Sequence, residues 1–367
     1  MSHSVTDKPT QAPTGADSAP SQAPRRRIGV REVLTFLLTD RVALLVVLLA
    51  VLLVWMNILD TGGYLIAPYD LAYLFTSLEM AVPLCILALA ELIVIVSGRG
   101  GIDLSVGAMV SLAGMAFGFM VGEWGWPLLP AVAACLVVGA VLGAINGFLV
   151  AYLGFPALIA TLATYYAYSS LALVSNDNAP ISTQPIQDLN SLTDPVALPF
   201  GLPSVPMQVF TFALPTVLLV WLLMNRTSYG RKLYAVGTND TAARFANLSV
   251  SWVRFRAYLL SGLLSGVTAV VTVAQYASAR PDAGTVGNGM ALPAITIAVL
   301  GGVAIAGGIG RVGGVVIAAL LVTWLNAGIL LAFIGSEGSQ YQLFALGVVL
   351  IASALLNTYM VRRRGGT

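Results

Sequence analysis

"VSGRGGIDLSVG", residues 96–107, breaks an otherwise apolar chain with Arg99, a run of glycines and Asp103, then turns apolar again at once. How it is read depends on the solvent around it. Hydrophobic residues make up 58% of the 367 and charged residues only 9%. A soluble domain carries roughly 45–50% and a quarter. Mean hydropathy is +0.88. Val42–Leu59 holds no charge at all, and a stretch of that length suffices to cross a hydrocarbon core of about 30 Å. The composition therefore predicts an integral membrane protein of the all-α class.

Working outward from the quoted stretch, ten membrane segments are expected: 42–59, 78–97, 104–121, 127–153, 156–174, 207–224, 252–275, 290–306, 313–334 and 342–361. The pair around 290–334 carries Gly301, Gly302, Gly307, Gly308, Gly310, Gly313 and Gly314, which leaves a broken or re-entrant helix open there. Irregular backbone at that depth is tolerated only where protein or a water-filled cavity satisfies it. With both termini cytoplasmic and ten crossings, every Lys and Arg of the 18 except Arg280 falls on the inner side. That partition matches the excess of Lys and Arg in cytoplasmic loops.

Residues 1–24 are rich in Ser, Thr, Pro, Gln and Ala and are expected to be a disordered cytoplasmic tail. A cleaved signal peptide is not expected, since the first apolar run lies far from Met1, is long, and lacks a small-residue cleavage site. Residues 25–364 read as one transmembrane domain with two long loops. Residues 175–206, with six prolines, three aspartates and no basic residue, fall outside; residues 225–251, mixed in charge, fall inside.

Absent residues exclude chemistry. His3 is the sole histidine, and Lys8 and Lys232 are the only lysines, neither in a phosphate-cradling GxxxxGK[ST] loop. Cys85 and Cys135 lie in apolar segments and read as small buried hydrophobes. No metal, cofactor or nucleic-acid partner is expected, and any ATP is used by another polypeptide.

The quoted stretch falls at the inner end of the second segment. Asp103 is expected to cap the following helix by accepting bonds from its free N–H groups. Gly100, Gly101 and Gly107, with Ser105, shape a tight reversal. Ionisable residues in membrane segments are functional candidates by default, so Glu91 reads either as lining a solute path or as a hydrogen bond between helices. Thr161, Thr164, Tyr165 and Tyr168 form one polar face of a helix, either a weak sugar path or packing glue.

Four stretches in order carry a resemblance: "GGIDLSVGAMVSLAG" (100–114), "FPALIATLATYYAYSSLAL" (155–173), "YGRKLYAVGTNDTAARFANLSV" (229–250) and "VLGGVAIAGGIGRVGGVVIAALLVTWLNAGI" (299–329). Together they resemble the permease subunits of bacterial sugar ABC importers, the ribose/xylose/galactose-type branch. The chain departs from that pattern in the extra Arg-Gly of "SGRGGIDLS", in Ala163 and Ala291, and in Asn247. These departures bear on the solute rather than on the class.

The resemblance implies a bacterial cytoplasmic membrane permease that moves a small solute, most simply a monosaccharide, with no ATPase site of its own. It implies a second permease subunit, a cytoplasmic ABC ATPase and an extracytoplasmic solute-binding protein. The loop with Gly230, Arg231, Tyr234, Gly237, Asn239, Ala242, Ala243 and Arg244 is then the ATPase-coupling element. Asn239 or Asp240 caps a short helix there, and Ala243 is expected to face the partner. A branched-chain amino acid or nucleoside permease is the nearest alternative. An ion-coupled carrier using Glu91 and Asp103 would need internal repeats, and no convincing half-to-half match is visible in the sequence.

Overall fold

The computed structural model describes residues 41–286 and 289–364. The tail expected over residues 1–24, with His3 and Lys8, lies outside the described residues, as do Arg25–Arg27 and Arg31. Nine helices among the described residues are long and apolar enough to cross a bilayer, and a shorter apolar one joins them. Apart from short helices at Leu71–Thr76 and Gln184–Gln187, the helices in chain order are α1 (Arg41–Thr61), α2 (Leu78–Val96), α3 (Val106–Gly118), α4 (Leu128–Ala151), α5 (Ala157–Val174) and α6 (Leu214–Arg226). There follow α7 (Ser228–Thr238), α8 (Asp240–Phe245), α9 (Val250–Tyr276), α10 (Ala291–Leu300), α11 (Val312–Ala332) and α12 (Ser336–Arg364). The expected segments agree with these helices to within a few residues, once the π-helical turn Val209–Ala213 is counted with α6, with two exceptions. The last begins earlier, at Ser336, and of 290–306 only Ala291–Leu300 is helical. Ten residues rise about 15 Å, half a bilayer core of about 30 Å.

Helix α1 is apolar on every side, and Val51, Val54, Trp55 and Ile58 are all exposed. Such a helix is stable only where hydrocarbon is the solvent. Helices α2 and α9 are the opposite case, buried along nearly their whole length at the centre of the bundle. They run antiparallel. Arg254, at the start of α9, donates to Ser97 O just past the end of α2, while Gln275 at the far end of α9 reaches Met80 at the start of α2.

The most extensive helix pairing is α4 against α9. Gly139, Gly143 and Gly147 stand four residues apart on one stripe of α4. A Cβ on Gly139 would strike Gly262 O, one on Gly143 would strike Tyr258 O, and one on Gly147 would press on Phe255. In lipid, helices gain little from burying apolar area, so close backbone approach through small residues supplies the attraction.

The packing repeats itself. Helix α9 packs on α4 and α3, and α2 packs on α11 and α10; α3 packs on α5 as α10 packs on α12. The order α2–α3–α4–α5 thus corresponds to α9–α10–α11–α12, with α2 and α9 running in opposite directions. The chain carries an inverted repeat at the level of elements that its residues do not display.

Arg41, Arg99, Arg254 and Arg311 gather at one end of the bundle, called here the basic end, where Gly302 lies against Arg41 and Arg99 and Arg254 share Asp240. The loop after α5 covers the opposite end. Ile181 and Ala279 exchange backbone hydrogen bonds, and Asn190 Nδ2 donates to Ala274 O and Gln275 O. Strands β1 (Pro195–Val196) and β2 (Val205–Pro206) pair antiparallel within this loop.

Gly143→Leu forces side-chain atoms into the backbone of α9 and is expected to cost ~3 kcal/mol, seen as a large fall in the melting temperature of the detergent-solubilised protein. Gly313→Ala on α11 meets nothing within 4 Å and should leave that temperature unchanged or raise it.

Candidate functional site

After Val96 the backbone turns through Gly98 (φ 83°), Arg99 (φ 60°) and Gly100 (φ 63°). Left-handed φ is easy for glycine and strained for arginine. The chain then climbs back beside α2 until Asp103 N donates to Glu91 Oε2 at 3.3 Å. Asp103 is fully buried beside a residue inside α2, so α3 starts from within the bundle rather than from its basic end.

The expected capping is one part of its role, since Asp103 accepts from Ser105 N at the start of α3, where Ser105 makes no side-chain cap bond. Ser105 occupies the cap position of α3, and Asp103 serves a wider group. Its Oδ1 accepts from Ser105 N at 3.1 Å, Ser105 Oγ at 2.6 Å and Asn146 Nδ2 at 3.4 Å. Its Oδ2 accepts from Ser261 Oγ at 3.2 Å, and Asn146 Nδ2 also donates to Ser105 Oγ at 2.7 Å. Four donors make this a carboxylate fixed between α2, α3, α4 and α9. Glu91 is buried within the same group, its Oε1 without a hydrogen-bond partner among the described residues. Asn146 and Ser261, the partners that hold Asp103, were not singled out from sequence. A lone Asn in the apolar run of α4 was the available signal.

The polar face of α5 is placed against protein. Thr161 Oγ1 donates to Ala157 O and Ile102 O, Thr164 Oγ1 to Ala160 O, and the Tyr168 hydroxyl to Leu142 O at 3.0 Å. Tyr165 is partly buried against the core. Two of these contacts fasten α5 to its neighbours, Thr161 to the turn before α3 and Tyr168 to α4.

At the basic end, Thr227 caps α7 through Gly230 N, and Asn239 caps α8 through Ala242 N at 3.0 Å. The Asn239 cap leaves Asp240 free for charges. Arg99 Nε lies 2.9 Å from Asp240 Oδ2, and Arg254 Nη2 lies 2.8 Å from Asp240 Oδ1 while also donating to Ser97 O at 3.1 Å. Arg254 is almost wholly buried, so its partners are essential to it. An arginine inside an apolar segment was a legible signal that sequence reading passed over.

Glycines close the joint. A Cβ on Gly237 would strike Val96 O and Gly308 N, and one on Gly307 (φ 95°) would strike Gly98. Gly308 N donates to Val96 O at 3.0 Å, and Tyr234 Oη to Gly310 O at 2.8 Å. Burial raises the Tyr234 hydroxyl above its ordinary pKa, with Arg311 opposing. The ends of α2 and α7 and the loop after α10 thus touch backbone to backbone. Gly230 seats α7 on the carbonyls of Leu223 and Met224.

Arg231, Ala242 and Arg244 are exposed here. Ala243 is not: it is buried in the core cluster, because it lies on the inward side of α8. The residue that protrudes is Phe245, 89% exposed at the tip of α8.

A bundle of apolar helices long enough to cross a bilayer, with its central helices buried and its path interrupted by irregular backbone, is the architecture of a membrane permease subunit. The family model described as "Branched-chain amino acid transport system / permease component" matches residues 73–354. The chain is 36% identical over 292 residues to the autoinducer 2 import system permease protein LsrD of Klebsiella pneumoniae, covering 79% of this chain and 85% of that one. It is 33% identical over 285 residues to the ribose import permease protein RbsC of Escherichia coli, covering 77% and 85%. No solved structure matches. The chain belongs to this family of transport-system permease components and is a multi-pass membrane permease.

Asp103→Asn keeps one acceptor oxygen and should retain folded yield within about twofold of wild type. Asp103→Leu removes every acceptor from buried donors worth about 1–3 kcal/mol each, and the monodisperse peak in size-exclusion chromatography should fall by roughly tenfold or more.

Proposed function

We propose that this chain is the transmembrane permease of an ATP-driven importer for a monosaccharide in the bacterial cytoplasmic membrane. The basic end faces the cytoplasm, and two permease subunits enclose the path. A solute-binding protein docks on the opposite end, and an ABC ATPase docks on α7 and α8. The chain itself hydrolyses nothing. The observation that carries the reading is the joint at Gly98, Gly237 and Gly307, which fixes the end of α7, and with it the exposed helix α8 held through Asp240, to segments that lead into the membrane. A push on Phe245 is delivered to the turn that holds Asp103 and to the loop that follows α10. The relatives named for ribose and autoinducer 2 import support the solute class. The family description names branched-chain amino acids, so leucine import is the second reading.

With the partner subunits in proteoliposomes, ATP should drive uptake of labelled ribose and not of leucine; leucine uptake alone reverses the assignment. In intact cells, with Cys85 and Cys135 replaced by alanine, an impermeant thiol reagent should modify Ser182→Cys and spare Thr238→Cys. Both positions are exposed, so the opposite pattern inverts the topology. Phe245→Ala should weaken ATPase association ~30-fold, the effect of a buried interface aromatic worth about 2 kcal/mol.

A further inference from the structure

Helix α9 ends at Tyr276, Ala277 takes a left-handed φ of 49°, and the next helix does not start until Ala291. The segment between runs alongside α3. Ala279 lies against Gly118 at one end of α3, and Gly284 lies against Gly107 at the other, with Gly284 N donating to Ser111 Oγ at 2.9 Å. The eleven residues from Gly107 to Gly118 (118 − 107) correspond to about 16 Å along the helix. Residues 279–284 therefore descend through half a bilayer without forming a helix.

This descent carries a charged pair. Arg280 Nε lies 3.4 Å from Asp282 Oδ1, with side chains 43% and 40% exposed, and the Arg280 guanidinium lies 5.8 Å from the ring centroid of Tyr276. Tyr276 is also 40% exposed. Charges at this depth are costly against lipid and mark ion or solute pathways. Non-helical backbone at this depth is tolerated only where it is buried in protein or lines a watery cavity. Arg280 is also the one basic residue that the charge partition leaves on the far side.

We propose that Tyr276, Arg280 and Asp282 form a solute-recognition surface in the outer half of the transport path, for an uncharged polyhydroxylated solute. The choice of solute rests on the monosaccharide reading above. Asp282 accepts from hydroxyl groups, the Arg280 guanidinium donates to their oxygens in a planar fork, and the Tyr276 ring offers a flat apolar face to the ring of a sugar. The pair is neutral as a whole, so the surface does not concentrate ions. Its polar groups already engage each other, which keeps the site weak, as a path that must release its cargo requires.

The test uses the complete transporter in intact cells and in proteoliposomes. Asp282→Asn and Arg280→Gln should each raise the half-saturating ribose concentration for uptake about tenfold, with melting temperatures near wild type. In a Cys85→Ala/Cys135→Ala background, an impermeant methanethiosulfonate added outside should modify Asp282→Cys, and ribose, not leucine, should slow that reaction. An unreactive thiol, a reaction indifferent to ribose, or an unchanged half-saturating concentration overturns the site. A wild-type complex that imports leucine and not ribose overturns the solute class, whereas ribose import with unaffected variants overturns this surface alone.

Discussion

Backbone that leaves helical form inside hydrocarbon must find a partner for every N–H and C=O it releases. Two stretches of this permease leave helical form between packed helices, residues 97–105 from the basic end and 277–286 from the other. Asp103 organises the first by accepting four hydrogen bonds. The second is satisfied by turns of its own, by Ile181 and by Ser111. The two meet where Gly107 and Gly284 lie backbone to backbone. The central helices α2 and α9 have to be buried throughout, because each supplies partners to an interruption that follows it.

That arrangement sets the exposed helix α8 a short distance from the interior of the bundle. Asp240 sits at the start of α8, and the two arginines that hold it belong to the turn after α2 and to α9. Displacement of α8 therefore loads the glycine turn at 98–101, a few residues from Asp103. Between α8 and that turn lie only backbone contact and one ion-pair group, with no long chain of side chains.

The apolar helices were legible because a lipid-facing helix such as α1 is apolar on all sides and has no competing reading. The half-helix α10 was less so. Residues 301–306 are as apolar as a membrane helix, yet they pack against α11 and Arg41 as irregular backbone, and hydropathy does not distinguish protein from lipid as the apolar neighbour. Residues 280–286 read as an aqueous loop for the converse reason. In α8, Ala242 and Ala243 are alike in chemistry and differ only in side, so sequence placed Ala243 outward and the fold places it inward. The inverted repeat is carried by packing order, which unlike residues can preserve. Its absence from the sequence was therefore a poor argument against an ion-coupled carrier; the family match now carries that decision.

The joint at Gly98, Gly237 and Gly307 has a consequence for how this chain can change over evolutionary time. Each of the three meets backbone of another chain segment where a Cβ would stand. A side chain gained at one therefore cannot be accommodated by trimming a neighbour, since there is no neighbouring side chain to trim. Ordinary interfaces drift by paired exchange, large for small and small for large. This one has no such path, so lineages can alter the exposed face of α8 while the three glycines beside it stay fixed.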